Sequence, residues 1–253
     1  MARRVRPTDW VGLLESWDRQ QSGYIREREQ RFTVLLDVLA GRLGKRFRAL
    51  DLGCGPGSLS RRLLDRFPAA RVVAVDFDPL VMRIGREALR RYGHRITWVD
   101  ADLRRRSWLD ALPAGRFDAA VSTTALHWLW PTALRRLYRD VARRLGPRGI
   151  LLNGDYLPWP ARDRRLRALA RGVHRVRYGS GHSHLWGRWW TEVEKTPELA
   201  TEVAEHRRRF PHFHPSVPDL TVDDHLQALR RAGFREAALV WQDVDDRLIA
   251  GLR

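Results

Sequence analysis

The segment Asp51-Leu52-Gly53-Cys54-Gly55-Pro56-Gly57 constrains this chain more than any other. It follows a short apolar run, Phe47 to Leu52, and precedes helical spacing through Leu59, Leu63, Leu64 and Phe67. Glycine lets a backbone turn sharply and lets a ligand come close to it. A helix starting near Pro56 aims free N–H groups at that ligand. The segment therefore reads as strand, tight turn, helix. A dinucleotide-binding turn spaces its glycines G-x-G-x-x-G around two phosphates. Here the spacing is G-x-G-x-G with an acid ahead, which suits a ligand with an amino-acid head group and no phosphate.

The pattern then repeats. Arg71 to Asp76 is a continuous β-branched run, as strands buried on both faces are. Asp78-Pro79 reads as an N-cap with proline at the first helical position, opening a helix to about Tyr92 that ends at Gly93. Further strands are expected at Ile96–Val99, Phe117–Ser122 and Gly149–Asn153, with a helix over Pro131–Leu145 between the last two. Strand–helix alternation predicts a parallel sheet covered on both faces. Ahead of it, residues 8–40 read as two helices broken near Ser22-Gly23. Behind it, Val222–Ala232 reads as a helix, and Ala237–Trp241 with Arg247–Leu252 as an antiparallel hairpin. Residues 156–220 interrupt the alternation with prolines, tryptophans and most of the histidines.

Acids at the ends of the first strands carry the binding chemistry. Asp76 lies where the carboxyl ends of strands form a crevice, and can accept from both hydroxyls of a ribose. Its alternative, an N-cap, is a task Asp78 already fits. Phe77 can stack on an adenine. Past the third strand, Ala101-Asp102-Leu103 can take the adenine amino group on Asp102 and cover the ring with Leu103; Asp100 is the weaker candidate.

Asp51–Gly57, Val72–Asp76 and Ala101–Leu103 together resemble, in order and spacing, the nucleoside-binding motifs of class I S-adenosylmethionine-dependent methyltransferases. Phe117–Ser122, Leu145–Gly149 and Ala232-Gly233-Phe234 fit the same pattern. The resemblance covers about residues 45–155 and 221–253. One departure is peripheral: arginine replaces the first glycine of a proline-glycine-glycine turn at Arg148. The resemblance implies an α/β fold: a doubly wound, mostly parallel sheet of seven strands in order 3-2-1-4-5-7-6. It also implies S-adenosyl-L-methionine as cofactor, its methionine part on the glycine turn. Cofactor contacts are then expected from Asp51, Gly53, Cys54, Gly55, Gly57, Asp76, Phe77, Ala101, Asp102, Leu103 and Ser122. Four parts follow: a helical cover (1–45), the cofactor-binding core (46–155), a helical and aromatic cap inserted after the fifth strand (156–220), and a closing helix and hairpin (221–253).

Methyl transfer asks for in-line positioning and a dry pocket. A base helps only where the acceptor must lose a proton. Ala125-Leu126-His127-Trp128 follows the fourth strand and resembles the segment of several small-molecule methyltransferases, including ones acting on carboxylates. His127 reads as that base or as a hydrogen bond to the acceptor; the plainer alternative is a helix-start histidine satisfied by backbone. Asp155-Tyr156, just past the fifth strand, is a second candidate pair. Expected catalytic residues are His127 and Asp155, and expected acceptor contacts are Tyr24, Trp128, Tyr156 and Trp186. Apolar residues Leu166, Leu169, Ala170, Val173 and Val176 line one face of an expected helix, Arg162–Arg177, so the cap is expected to pack down on the sheet. His182, His184, His212 and His214 stand in pairs two residues apart, a spacing without a zinc motif, and no metal is expected.

Composition limits the rest. The 253 residues form one core, and the lone Cys54 permits no internal disulfide, which fits a reducing, cytoplasmic setting. No apolar run marks a signal peptide or a membrane span of roughly 20 residues. The formal net charge is +17, yet only Lys45 and Lys195 are lysines and the arginines are spread along the chain. A nucleic-acid binder concentrates its charge more. A small molecule, an acidic one included, is therefore the expected acceptor, with an RNA methyltransferase and a non-catalytic scaffold as the rival readings.

Overall fold

A computed structural model describes residues 8–253 apart from Arg26, 179–182 and 212–217. His182, His212 and His214 thus lie outside the described residues. Among those that are described, no three His, Cys, Asp or Glu side chains are placed to hold a metal, and no helix is long and apolar enough to cross a membrane.

Seven strands form one sheet in the order β3-β2-β1-β4-β5-β7-β6, as expected. They are β1 (Arg48–Leu52), β2 (Arg71–Asp76), β3 (Ile96–Asp100), β4 (Phe117–Thr123), β5 (Leu145–Tyr156), β6 (Glu236–Asp243) and β7 (Asp246–Leu252). The first five run parallel, and β7 runs antiparallel to both β5 and β6. Successive residues of the central strands enter opposite cores: Val72 and Ala74 one, Val73 and Val75 the other. This period-2 burial on both faces is why those strands read as unbroken apolar runs.

One core packs under α2 (Arg28–Leu43), α3 (Ser58–Arg66) and α4 (Pro79–Ala88). The other packs under α5 (Pro131–Arg144) and α9 (Val222–Arg231). The first helix, α1 (Trp10–Ser22), lies on α4. Three helices follow β5: α6 (Arg164–Tyr178), α7 (Ser183–Glu194) and α8 (Ala200–Arg209). Of these, α7 meets α1 and α8 meets α4.

Four local expectations need correction. The helix after the glycine turn starts at Ser58 rather than Pro56, because Gly57 is still left-handed. Helix α4 stops at Ala88, and a tighter turn with Gly93 at φ 54° carries the chain to β3. Strand β5 continues to Tyr156, so Asp155 and Tyr156 are on it and pair with Arg247 and Asp246. The apolar residues of α6 do not pack on the sheet: only Ala170 is buried, while Leu166 is 41% exposed, Leu169 59% and Val176 87%. Polar contacts hold that helix instead. Arg167 donates to the Trp159 carbonyl and Asp219, His174 pairs with Asp245 in the β6–β7 turn, and Arg177 pairs with Asp243 at the end of β6.

Helix α4 comes close to the glycine turn at Gly85. A Cβ there would sit 2.4 Å from the Trp98 ring and 2.6 Å from the Pro56 carbonyl oxygen. Replacing glycine by alanine inside a helix ordinarily stabilises by roughly 0.5–1 kcal/mol. Here the backbone of the turn must shift, and overpacking costs about 1–3 kcal/mol. Gly85→Ala should therefore lower the thermal midpoint by several degrees in calorimetry; a rise would show that the turn yields freely.

Candidate active site

The turn between β1 and α3 is closed by its neighbour strand. Gly53 and Cys54 both donate N–H groups to the Val75 carbonyl, at 2.8 and 3.0 Å. Gly55 donates to the Asp76 carboxylate at 2.7 Å. Gly53, Gly55 and Gly57 all have positive φ, between 54° and 86°, which L side chains rarely adopt. The alternating glycines thus build a bare backbone surface at the carboxyl end of β1.

Two carboxyl groups face this turn, and burial raises the pKa of both. Burial pushes Asp51 up to about 7, while the Ser60 hydroxyl, 2.6 Å away, pulls the other way. Burial also pushes Asp76 up to about 6, against donation from Asp78, Gly55 and Phe77 N–H groups. Such groups favour a ligand that brings a positive charge to Asp51 and hydroxyl donors to Asp76. A methionine ammonium and a ribose have those properties, and the open glycine backbone leaves room for the former. The residues present therefore fit S-adenosylmethionine. The Cys54 thiol is buried and lifted well above its usual range by that burial, so it is a wall and not a nucleophile.

At the next strand ends, Asp102 is mostly buried and takes the Arg104 backbone N–H and Nε on one oxygen. Ala101 and Leu103 beside it are buried. Asp100 is instead bound by Arg209 of α8, at 2.6 and 3.0 Å. Arg209 and Arg104 each lie over Phe77, at 4.8 and 5.3 Å from the ring centroid. Phe77 is thus flanked by guanidinium groups. Ser122 is fully buried and donates to the Leu52 carbonyl at 2.7 Å, bracing β4 against β1.

His127 and Asp155, expected separately, form one unit. His127 sits on the short turn Leu126–Trp128 after β4. Its Nδ1 lies 2.7 Å from Asp155 Oδ1, and its backbone N–H donates to Oδ2 at 3.1 Å. Burial opposes a charged imidazole, but the Asp155 carboxylate outweighs it and holds His127 above its ordinary pKa. Burial would raise Asp155, yet His127 and Arg31 hold it below the usual carboxylate range. A cavity of about 150 Å³ opens on His127, walled by Trp128, Tyr156, Leu157, Pro158 and Leu220, with Asp219 and His225 also on its lining.

Tyr24 and Trp186 do not line this cavity. They meet each other instead, the Tyr24 hydroxyl accepting the Trp186 N–H at 3.2 Å. Trp186 and Trp189 pack on Trp17 of α1, with centroids 5.7 and 4.8 Å apart. Asp18 fastens that helix to the core. It accepts from Arg28 at 2.8 Å, Ser58 at 2.6 Å, Arg61 at 2.9 Å and Arg62 at 3.0 Å. The tryptophans of the cap and Tyr24 therefore join two covering helices above the glycine turn. Sequence reasoning missed Asp18, and it missed Arg31 and Thr124 beside the His127 pair. Nothing in an amphipathic helix distinguishes an arginine or an aspartate that turns inward.

A family profile described as "Methyltransferase domain" matches residues 49–149. The chain is 30% identical over 231 residues to a trans-aconitate 2-methyltransferase of Azoarcus sp., covering 84% of this chain and 86% of that one. It is 32% identical over 202 residues to a malonyl-[acyl-carrier protein] O-methyltransferase of Geobacter sulfurreducens, covering 76% and 68%. Among solved structures, the 1,6-didemethyltoxoflavin-N1-methyltransferase of Burkholderia thailandensis, with S-adenosylhomocysteine bound, shares the fold. Its TM-score is 0.54 at 17% identity, over 100% of this chain and 92% of that one. With the sheet order and the glycine turn, these likenesses settle the family: the chain belongs to the class I S-adenosylmethionine-dependent methyltransferases and uses S-adenosylmethionine as its cofactor.

Proposed function

We propose that the protein methylates an oxygen of a small carboxylic acid held in the cavity beside His127. The observation that carries this reading is His127, held by buried Asp155, on the wall of a cavity of about 150 Å³ beside Trp128 and Tyr156. The two curated relatives support the acceptor class, since one is named for a free tricarboxylate and the other for a malonyl group. A cavity of this size takes a small molecule in preference to a nucleic-acid chain. The buried lone cysteine accords with a cytoplasmic setting.

In this reading Asp76 holds the ribose hydroxyls and Asp102 with Leu103 the adenine. Asp51 with the Gly53–Gly57 backbone holds the methionine part. Ser122 supports the turn from behind. When bound, the cofactor supplies a methyl group on a sulfonium, already activated toward an oxygen nucleophile. A carboxylate has no proton to lose, so His127 need not act as a base. Raised by Asp155, its imidazolium instead donates through Nε2 to the acceptor carboxylate. Trp128 and Tyr156 exclude water around it. Because the carboxylate loses its charge as the ester forms, the His127 contact is strongest before transfer. It therefore serves acceptor binding more than turnover.

Two tests follow. S-adenosylhomocysteine should bind with micromolar affinity, about −8 kcal/mol, in calorimetry. Asp76→Ala should weaken binding roughly 10–100-fold through lost charge-assisted hydrogen bonds. Affinity should fall as pH drops through about 7 and then about 6, as Asp51 and Asp76 take up protons. Binding that strengthens on acidification would remove both acids from the cofactor.

The second test concerns His127, assayed on trans-aconitate and other small carboxylic acids. The charged imidazolium persists above its ordinary value of about 6.5. Acceptor binding should therefore be lost as pH rises through that raised value, and Asp155→Asn should move the loss to lower pH. His127→Gln should raise the acceptor KM about 10-fold or more with a smaller change in kcat. A rate that rises with pH across the same range would mark His127 as a base acting on a neutral acceptor.

A further inference from the structure

Arg31 of α2 is 1% exposed and reaches across Gly154 of β5 to Thr124 and Asp246. Its Nη1 lies 2.5 Å from Asp246 Oδ1 at the start of β7. Its Nη2 donates to Thr124 Oγ1 at 2.6 Å. Only glycine lets it pass: a Cβ on Gly154 of β5 would sit 2.7 Å from Arg31 Cδ. Thr124 follows β4 and has φ 54°, a strained value for a β-branched residue. Its N–H donates to the Gly154 carbonyl at 2.9 Å, so backbone and side chain are both held. His127 is three residues further on. One arginine therefore ties α2, β4, β5 and β7 together beneath the His127–Asp155 pair.

An ion pair this buried is weak grounds for stability, because taking both charges out of water offsets their attraction. Packed apolar residues in place of both partners would fill the space at no greater cost. What only a cation supplies is a grip on both Thr124 and Asp246, and a positive charge beside Asp155. We propose that Arg31 is a positioning residue for methyl transfer: it locks the Thr124 turn that presents His127 and, balanced by Asp246, sets the charge of the His127–Asp155 pair. This rests on the reading that His127 faces the acceptor.

The groups around the pair are few. Asp155 on β5 faces His127 directly, and Arg31 on α2 acts on both. Asp246 on β7 balances Arg31 and feels Asp155. His225 on α9, pushed down to about 4 by burial, stays neutral near pH 7 and is hydrogen-bonded to Tyr138 of α5, 2.7 Å away. Tyr138 is itself pushed up by burial and stays protonated. Among the described residues, Asp219 also lines the cavity with His127, paired with Arg167, and Arg31 and Asp246, of opposite sign, are the charges bound to each other beside the pair.

That opposition gives the test. The imidazole of His127, assigned with His127→Gln, is titrated by NMR in the full chain without acceptor. Arg31→Met removes a positive charge and should raise the His127 midpoint by about half a pH unit or more. Asp246→Asn removes a negative charge and should lower it, although both variants break the same ion pair. Arg31→Lys, which keeps the charge and loses the fork, should return the midpoint toward wild type. A purely structural role would move Arg31→Met and Asp246→Asn together or not at all, and either result overturns the proposal. Should Arg31→Met fail to fold by circular dichroism, Asp246→Asn decides: a fall supports the proposal, and no shift or a rise overturns it. The titration reads the pair without any acceptor. Failure here therefore differs from failure of the carboxylate reading, which the His127→Gln KM exposes.

Discussion

The Asp76 carboxylate accepting the Gly55 N–H fixes the glycine turn, and much of the site depends on that bond. With Gly53 and Cys54 donating to Val75, the end of β2 shapes the turn that follows β1. Parallel pairing of β1 with β2 is therefore a requirement of the site as well as of the sheet. The rest of that layer conforms to it. Gly85 lets α4 lie against Pro56, and Asp18, gripped by three arginines and Ser58, brings α1 over the turn. The aromatic contacts among Trp17, Trp186 and Trp189 then join the cap to α1.

Three buried carboxyl groups at strand ends divide the chemistry by their surroundings. Asp51 and Asp76 have their pKa values raised, because burial dominates and their partners are neutral donors. Asp155 is held low, because His127 and Arg31 bring positive charge to it. The first two have only uncharged donors around them: Ser60 on Asp51, and the Gly55, Phe77 and Asp78 N–H groups on Asp76. The third faces the His127 ring at 2.7 Å. One residue type is thus held in opposite electrostatic surroundings, raised at the ends of β1 and β2 and lowered on β5.

What was legible in the sequence was local. The strand, turn and helix at Arg48–Arg66 follow from a short apolar run and alternating glycines, and Asp78-Pro79 capped its helix as read. Sheet order was legible only through family resemblance, since nothing in a β-branched run says which strand lies beside it. His127 and Asp155 were each found from their places after strands. Their contact was not, because it spans adjacent strands 28 residues apart. Helical spacing in α6 gave a correct helix and a wrong environment. Periodicity defines an apolar face, but contacts of Arg167, His174 and Arg177 decided which face met the protein. Arg31 and Asp18 were invisible because an inward-turned charge in an amphipathic helix leaves no pattern.

The most direct measurement is a crystal structure with S-adenosylhomocysteine and a small dicarboxylate bound together. The account predicts the ribose hydroxyls on Asp76, the methionine part along Gly53–Gly57, and an acceptor carboxylate within hydrogen-bond reach of His127 Nε2, facing the sulfur. An acceptor lodged away from His127, or His127 turned from the sulfur into the core, would contradict it.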